Sequence, residues 1–187
     1  MAKIFSKIFC GTLVFVLIFL VSCTYETNSE PNNTDEPKAT MLSVLNGEAS
    51  FINEGNNAVT IDAVFEGEKE YAFVDMDNDK CDEMVIRNTE TYLVLRYNAS
   101  EKTVYGYELS PRSLEVIKTD GTSLGSSGAA DNSISYLKFD KELTFNELAR
   151  IDEINQIFTV NGKTVTQQEA EAYFSEWKKK ENVDWIK

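Results

Sequence analysis

Tyr92-Leu93-Val94-Leu95-Arg96-Tyr97-Asn98-Ala99-Ser100-Glu101-Lys102-Thr103-Val104-Tyr105-Gly106-Tyr107-Glu108-Leu109 decides the fold class. Leu93, Leu95 and Tyr97 alternate with Tyr92, Val94 and Arg96. A period of two places the two sets on opposite faces of a strand. The connection Asn98-Ala99-Ser100-Glu101-Lys102 is short and polar, so the flanking runs pair as an antiparallel hairpin. The same texture recurs at residues 71–75, 83–87, 114–118, 134–139, 143–151 and 157–160. Asp120-Gly121 and Asn161-Gly162 are hairpin dipeptides because both supply positive-φ positions at little cost. Runs joined by short turns predict an antiparallel meander rather than βαβ crossovers. The small, polar stretch 125–132 reads as a loop. A strand follows it rather than a helix, so it does not read as a phosphate cradle.

Helical patterning flanks these strands. Met41, Leu42, Val44 and Leu45 mark one face of a short helix stopping at Asn46-Gly47, where glycine tolerates a left-handed backbone. Residues 59–65 are open between a helical turn and a strand. Thr166-Gln167-Gln168-Glu169 is a capping box, and Ala170, Tyr173, Phe174 and Trp177 form one apolar stripe behind it. Lys178, Lys179 and Lys180 close that helix, where positive charge suits the dipole. Val183, Trp185 and Ile186 alternate too weakly to classify. The expected fold is α+β: an antiparallel meander with short N-terminal helical segments and a C-terminal helix packed on the sheet.

The N-terminal region carries a different signal. Lys3 and Lys7 precede an apolar run that ends in Leu20-Val21-Ser22-Cys23, after which the chain turns polar and acidic. A positive start, an apolar stretch and small residues before a cleavage point describe a secretory signal. The final four residues resemble the lipobox of bacterial lipoproteins, which implies lipidation of Cys23 and a position on the extracytoplasmic face of the cell membrane. Cys10 fits less well because Phe9 precedes it, where the peptidase needs a small residue. The apolar run is shorter than the ~20 residues of a spanning helix. Residues 1–22 are thus expected as signal peptide, 23–39 as lipidated cysteine and flexible tether, and 40–187 as one domain. The tether is rich in Pro, Asn and acids and holds little to bury.

Composition narrows the function classes. Loss of Lys3 and Lys7 on cleavage moves the formal charge from −13 to −15. Such a chain repels nucleic-acid phosphates and anionic headgroups, so nucleic acid is excluded as a partner. The chain has no histidine, which removes Ser-His-Asp and Cys-His catalysis and histidine-ligated metals. With Cys10 cleaved away and Cys23 lipidated, Cys81 has no partner for an intrachain disulfide. Arg112, in Ser110-Pro111-Arg112-Ser113, is expected to form a structural salt bridge.

One segment looks like chemistry: Tyr71-Ala72-Phe73-Val74-Asp75-Met76-Asp77-Asn78-Asp79-Lys80-Cys81-Asp82-Glu83. Carboxylates at Asp75, Asp77 and Asp79, the carbonyl of Cys81 and the carboxylate of Glu83 supply oxygens at odd positions of a tight loop, a spacing that suits calcium. The segment resembles the DxDxDG loops of dockerins, EF-hands and FG-GAP repeats. It is similar as well to a YALxDLDGDGxxEL segment of small Gram-positive lipoproteins. The chain departs from that pattern at Lys80, where those loops have glycine. A left-handed residue there costs ~1 kcal/mol, and its ammonium competes with a cation. Ile86 stands where an EF-hand needs a bidentate Glu, and a single copy excludes a propeller.

These features lead to an expectation of a membrane-anchored, non-catalytic binding or structural module with a weak calcium site. A cell-envelope or extracellular protein, or a glycan, is the expected partner class. The alternatives are a carboxylate-based glycan-acting enzyme, which needs no histidine, and a small solute-capture lipoprotein. Lipidation is tested by metabolic labelling with a palmitate analogue in a bacterial host. Cys23→Ser is expected to lose the label and Cys10→Ser to keep it; the reverse pattern overturns the assignment.

Overall fold

The computed structural model describes residues 36–139 and 142–187. The signal segment, Cys23 and the first part of the tether lie outside the described residues. Among the described residues no helix is long and apolar enough to cross a membrane.

The architecture is α+β, built as four layers. Helix α1 (Glu36–Leu45) precedes strands β1 (Phe51–Asn53) and β2 (Ala58–Val59) and a 3-10 turn at Ile61–Ala63. Four strands follow as a meander: β3 (Glu70–Val74), β4 (Glu83–Arg87), β5 (Tyr92–Asn98) and β6 (Thr103–Leu109). The first sheet has the order β2-β1-β6-β5-β4-β3. After a 3-10 turn at Pro111–Leu114 come β7 (Val116–Ile117), β8 (Ser123–Gly128), β9 (Asp131–Phe139), β10 (Leu143–Asp152), β11 (Ile157–Val160) and β12 (Lys163–Thr164). These form a second sheet in plain sequence order, and helix α2 (Gln167–Lys178) closes the fold.

The alternation seen in the sequence distributes the core between layers. Met84, Ile86, Leu93 and Leu95 pack with Met41 and Val44 of α1 and with Phe51, Ile61 and Phe65. Val85, Tyr92 and Val94 point the other way and meet Ala72, Val74, Ile117 and Leu137 between the two sheets. On the far side of the second sheet, Ile134 and Ala149 pack against Phe174 and Trp177 of α2. Strands β4 and β5 are therefore covered on both faces, which explains their nearly continuous apolar sequence.

Several expectations need correction. The meander is split into two stacked sheets rather than one. One pairing is parallel, β1 with β6, where Phe51 lies over Gly106 so closely that a Cβ there would meet the ring at 2.2 Å. Residues 125–132 are not a loop: β8 and β9 occupy most of them and pair antiparallel, and a Cβ at Gly125 would meet the Ser113 carbonyl at 2.6 Å. Small residues are needed where that backbone comes close, so no apolar alternation marks the strand. Residues 114–118 contain the end of a 3-10 turn and only two strand residues. The first helix starts at Glu36, so residues 36–39, read as tether, belong to its first turn. Residues 59–65 divide between a strand end and a 3-10 turn. Arg112 is exposed, and no salt bridge between described residues includes it.

Helix α2 begins with the expected capping box: the Glu169 amide donates to Thr166 Oγ1 and the Thr166 amide donates to Glu169 Oε2. Its C-terminal end is held by the buried Lys118. That ammonium donates to the carbonyls of Lys178 (3.1 Å) and Lys180 (2.8 Å) and to Asn182 Oδ1 (2.7 Å). A cation placed against helix C-terminal carbonyls satisfies acceptors that lack an intrahelical partner. Beyond α2 the chain stitches both sheets together. The Val183 amide donates to the Ile117 carbonyl of the second sheet, and Ile186 exchanges two backbone hydrogen bonds with Tyr71 of the first. Trp185 lies between these contacts with the Arg87 guanidinium 3.7 Å from its ring centre.

Trp177 is 3 % exposed, and its indole N–H donates to Thr122 Oγ1. Trp177→Ala is expected to lower stability by ~3–5 kcal/mol through the cavity and the lost hydrogen bond. A urea melt reads this directly, and an unchanged midpoint contradicts the packing role of α2.

Candidate functional site

The acidic segment is the connection between β3 and β4, whose ladder ends at the pair Val74–Glu83. Turn chemistry shapes it. Asp75 accepts from the amides of Asp79 (3.1 Å) and Lys80 (2.9 Å) through its two oxygens. Asp77 Oδ1 accepts from the Asp79 amide at 3.2 Å, and Asp79 Oδ1 accepts from the Cys81 amide at 2.8 Å. Aspartates that hold their own backbone in this way are common turn formers. Asn78 and Lys80 take left-handed conformations, with φ of 61° and 73°. The position where DxDxDG loops carry glycine thus demands a glycine-like backbone here as well, and Lys80 bears the strain.

The loop is anchored below. Met76 is wholly buried; its amide donates to Glu83 Oε2 at 2.8 Å, and its carbonyl accepts from the Leu137 amide of β9 at 2.9 Å. From the second sheet, the Asp120-Gly121 turn abuts the Asp75 carbonyl. Gly121 has φ of 79°, and a Cβ there would fall 1.8 Å from that oxygen. The loop therefore occupies a joint between the two sheets.

Asp75, Asp77 and Glu83 each offer an oxygen within 4.8 Å of the others. Asp79 lies outside that set: its Oδ2 receives Arg96 Nη2 at 2.9 Å. Cys81 is half-buried, and its amide serves Asp79. No salt bridge between described residues includes Lys80, so its expected competition with a cation takes no visible form. The charge that does reach the cluster belongs to Arg96, which the sequence reading did not single out. Besides Asp79, it stands 3.3 Å from Asp77 Oδ2 and 3.6 Å from Glu83 Oε1. A signal was available: Arg96 shares its strand face with Tyr92 and Val94, the face that turns inward, and an inward cation requires acids around it.

One guanidinium faces three carboxylates, with Asp75 close by as a fourth acid, and the electrostatics register the imbalance. Burial, with the Asp77 and Asp79 charges nearby, pushes the Glu83 carboxyl up to about 9 despite the Met76 amide and Arg96. Burial, Asp79 and Asp75 raise Asp77 to about 6 against the pull of Arg96. Both groups resist ionising where they stand, and a divalent cation would relieve both.

Away from the acidic loop lies an open cleft of about 830 Å³ lined by Glu70, Arg87, Asn88, Tyr92 and Lys187 among others. Arg87 binds Glu70 there through Nε (3.2 Å) and Nη2 (2.8 Å), which holds the Glu70 carboxyl below its ordinary value. Comparison of the chain with protein-family models, with curated proteins and with solved structures finds no match.

A carboxyl whose pKa is raised by folding contributes stability that is complete below its unfolded value and lost as pH climbs through its folded value. For Glu83 that window runs from 4.5 to about 9, and for Asp77 from 3.8 to about 6. In EDTA, the urea midpoint is expected to fall between pH 5 and pH 9. Glu83→Gln, which keeps an acceptor for the Met76 amide, is expected to flatten that fall. An equally steep fall in the variant excludes Glu83 as its source.

Proposed function

We propose that this chain is a lipid-anchored, extracytoplasmic, non-catalytic module whose β3–β4 loop takes calcium as a structural ion. The observation that carries the metal reading is the convergence of Asp75, Asp77 and Glu83 oxygens at a loop with surplus negative charge. Hard oxygen donors in an irregular loop geometry suit calcium better than magnesium, which demands a stricter octahedron and keeps its waters. The bound ion would favour the ionised form of carboxyls that resist ionisation without it, displacing their protons, and would thereby brace the joint between the sheets. The anchoring half of the proposal rests on Leu20-Val21-Ser22-Cys23, and the acidic tether beyond it supports a domain held off the membrane surface. Lipid chains anchor by burying methylenes at ~0.8 kcal/mol each, so two or three hold the protein without a spanning helix.

The site is expected to be weak, around ~10⁻⁴–10⁻³ M, as in other extracellular modules. Calcium at ten times its Kd then stabilises the fold by ~1.4 kcal/mol through mass action. Calorimetric titration of EDTA-stripped protein is expected to give heat with calcium and little with magnesium. Asp77→Ala is expected to abolish the heat, and Lys80→Gly to tighten binding by releasing the left-handed strain. Identical flat traces for the native chain and Asp77→Ala leave the loop as an acidic turn.

A further inference from the structure

Arg96 touches the acidic loop from a strand that the loop does not belong to. Met84 pairs with Leu95, so one step further along the ladder Arg96 stands opposite Glu83. All three nitrogens of its guanidinium are engaged. Nη2 reaches Asp79 and Asp77, Nε faces Glu83, and Nη1 donates to the Phe139 carbonyl of β9 at 3.3 Å. The group also sits 4.9 Å from the centre of the Phe139 ring. Two of its acidic neighbours, Asp77 and Glu83, belong to the set of three whose oxygens converge.

We infer that Arg96 is the resident cation of the acidic loop and that calcium binds by displacing it. The inference rests on the calcium reading above and names what sets the affinity of that site. A guanidinium and a divalent ion cannot share the Asp77 and Glu83 oxygens without strong repulsion, since like charges a few ångströms apart disfavour each other most where water is scarce. The arginine keeps part of the loop charge compensated when calcium is absent. Its departure frees the Phe139 carbonyl and ring, so ion binding reports to the β9–β10 hairpin of the second sheet. Lys80 does not play this part, because the salt bridges to the cluster come from Arg96.

The test uses the full chain in detergent, stripped with EDTA and titrated with calcium chloride. Arg96→Gln is expected to bind at least ten-fold more tightly than the native chain, and Arg96→Lys to fall between them. Phe139→Leu removes the ring beside the guanidinium without changing the loop's charge, and is expected to tighten binding two- to three-fold. It keeps the test open if Arg96→Gln does not fold. In the native chain, the Arg96 Nε–H resonance is expected to shift at saturating calcium and to exchange faster with water. Binding by Arg96→Gln alone shows that the arginine closes the site, and overturns both displacement and calcium binding by the native chain. Equal or weaker binding in both Arg96→Gln and Phe139→Leu, or an Nε–H signal unmoved at saturation, overturns displacement and leaves the calcium site standing. No heat in any variant overturns both.

Discussion

Burial of the first sheet on both faces is the constraint on which the rest of the structure depends. Met84, Ile86, Leu93 and Leu95 need α1 and the Ile61–Phe65 region to cover them, while Val85, Tyr92 and Val94 need the second sheet. A sheet with two apolar faces cannot exist alone in water, so the order of layers follows from the side-chain alternation of β4 and β5. The second sheet has a more polar inner face, with Ser123 and Ser135 buried there, and relies on α2 to cover its outer one. Trp177 and Phe174 supply that cover, and the hydrogen bond from Trp177 to Thr122 fixes where the helix lies.

Polar groups at the seams hold these layers in register. Met76 is a core residue within an acidic loop, and its two backbone bonds run to Glu83 of one sheet and Leu137 of the other. The carboxylates are consequently not free to spread into solvent when their charges repel. A loop with the same sequence on a free hairpin would relieve its charge by opening. Here the apolar anchor prevents that, and burial, with the neighbouring charges added, raises the proton affinity of Asp77 and Glu83. Similar logic governs Lys118, a buried cation held by the carbonyls of Lys178, the last residue of α2, and of Lys180 just beyond it.

The parts of the fold legible in sequence are those with a local physical cause. The hairpin at Asn161-Gly162 has both residues at positive φ, Gly121 does the same in its turn, and the Thr166–Glu169 capping box forms as read. The second sheet was harder to see because β8 is built from Ser, Leu and Gly, and its close approach to Ser113 selects small side chains over alternating apolar ones. The parallel contact of β1 with β6 joins residues over 50 positions apart, and no local pattern encodes it. Within the site, the aspartates announced themselves by spacing. Arg96 did not, since its partners lie in a different strand and loop. Asp79, outside the converging set, holds the shortest of that arginine's ion pairs.

The segment beyond α2 bears on how the protein is made. Chains emerge from the ribosome N-terminus first. Every strand of both sheets is therefore available before Val183, Trp185 and Ile186 arrive to join β7 to β3. Until then the nascent domain shows the open edge of β3, with the Tyr71 amide and carbonyl unpaired, beside the unfilled seam between the sheets. An exposed strand edge is a template for another chain. Premature termination just after α2 would thus yield a nearly complete domain that sticks to its neighbours rather than an unfolded one. Residues 183–186 thus cover a strand edge that would otherwise offer a template to a neighbouring chain.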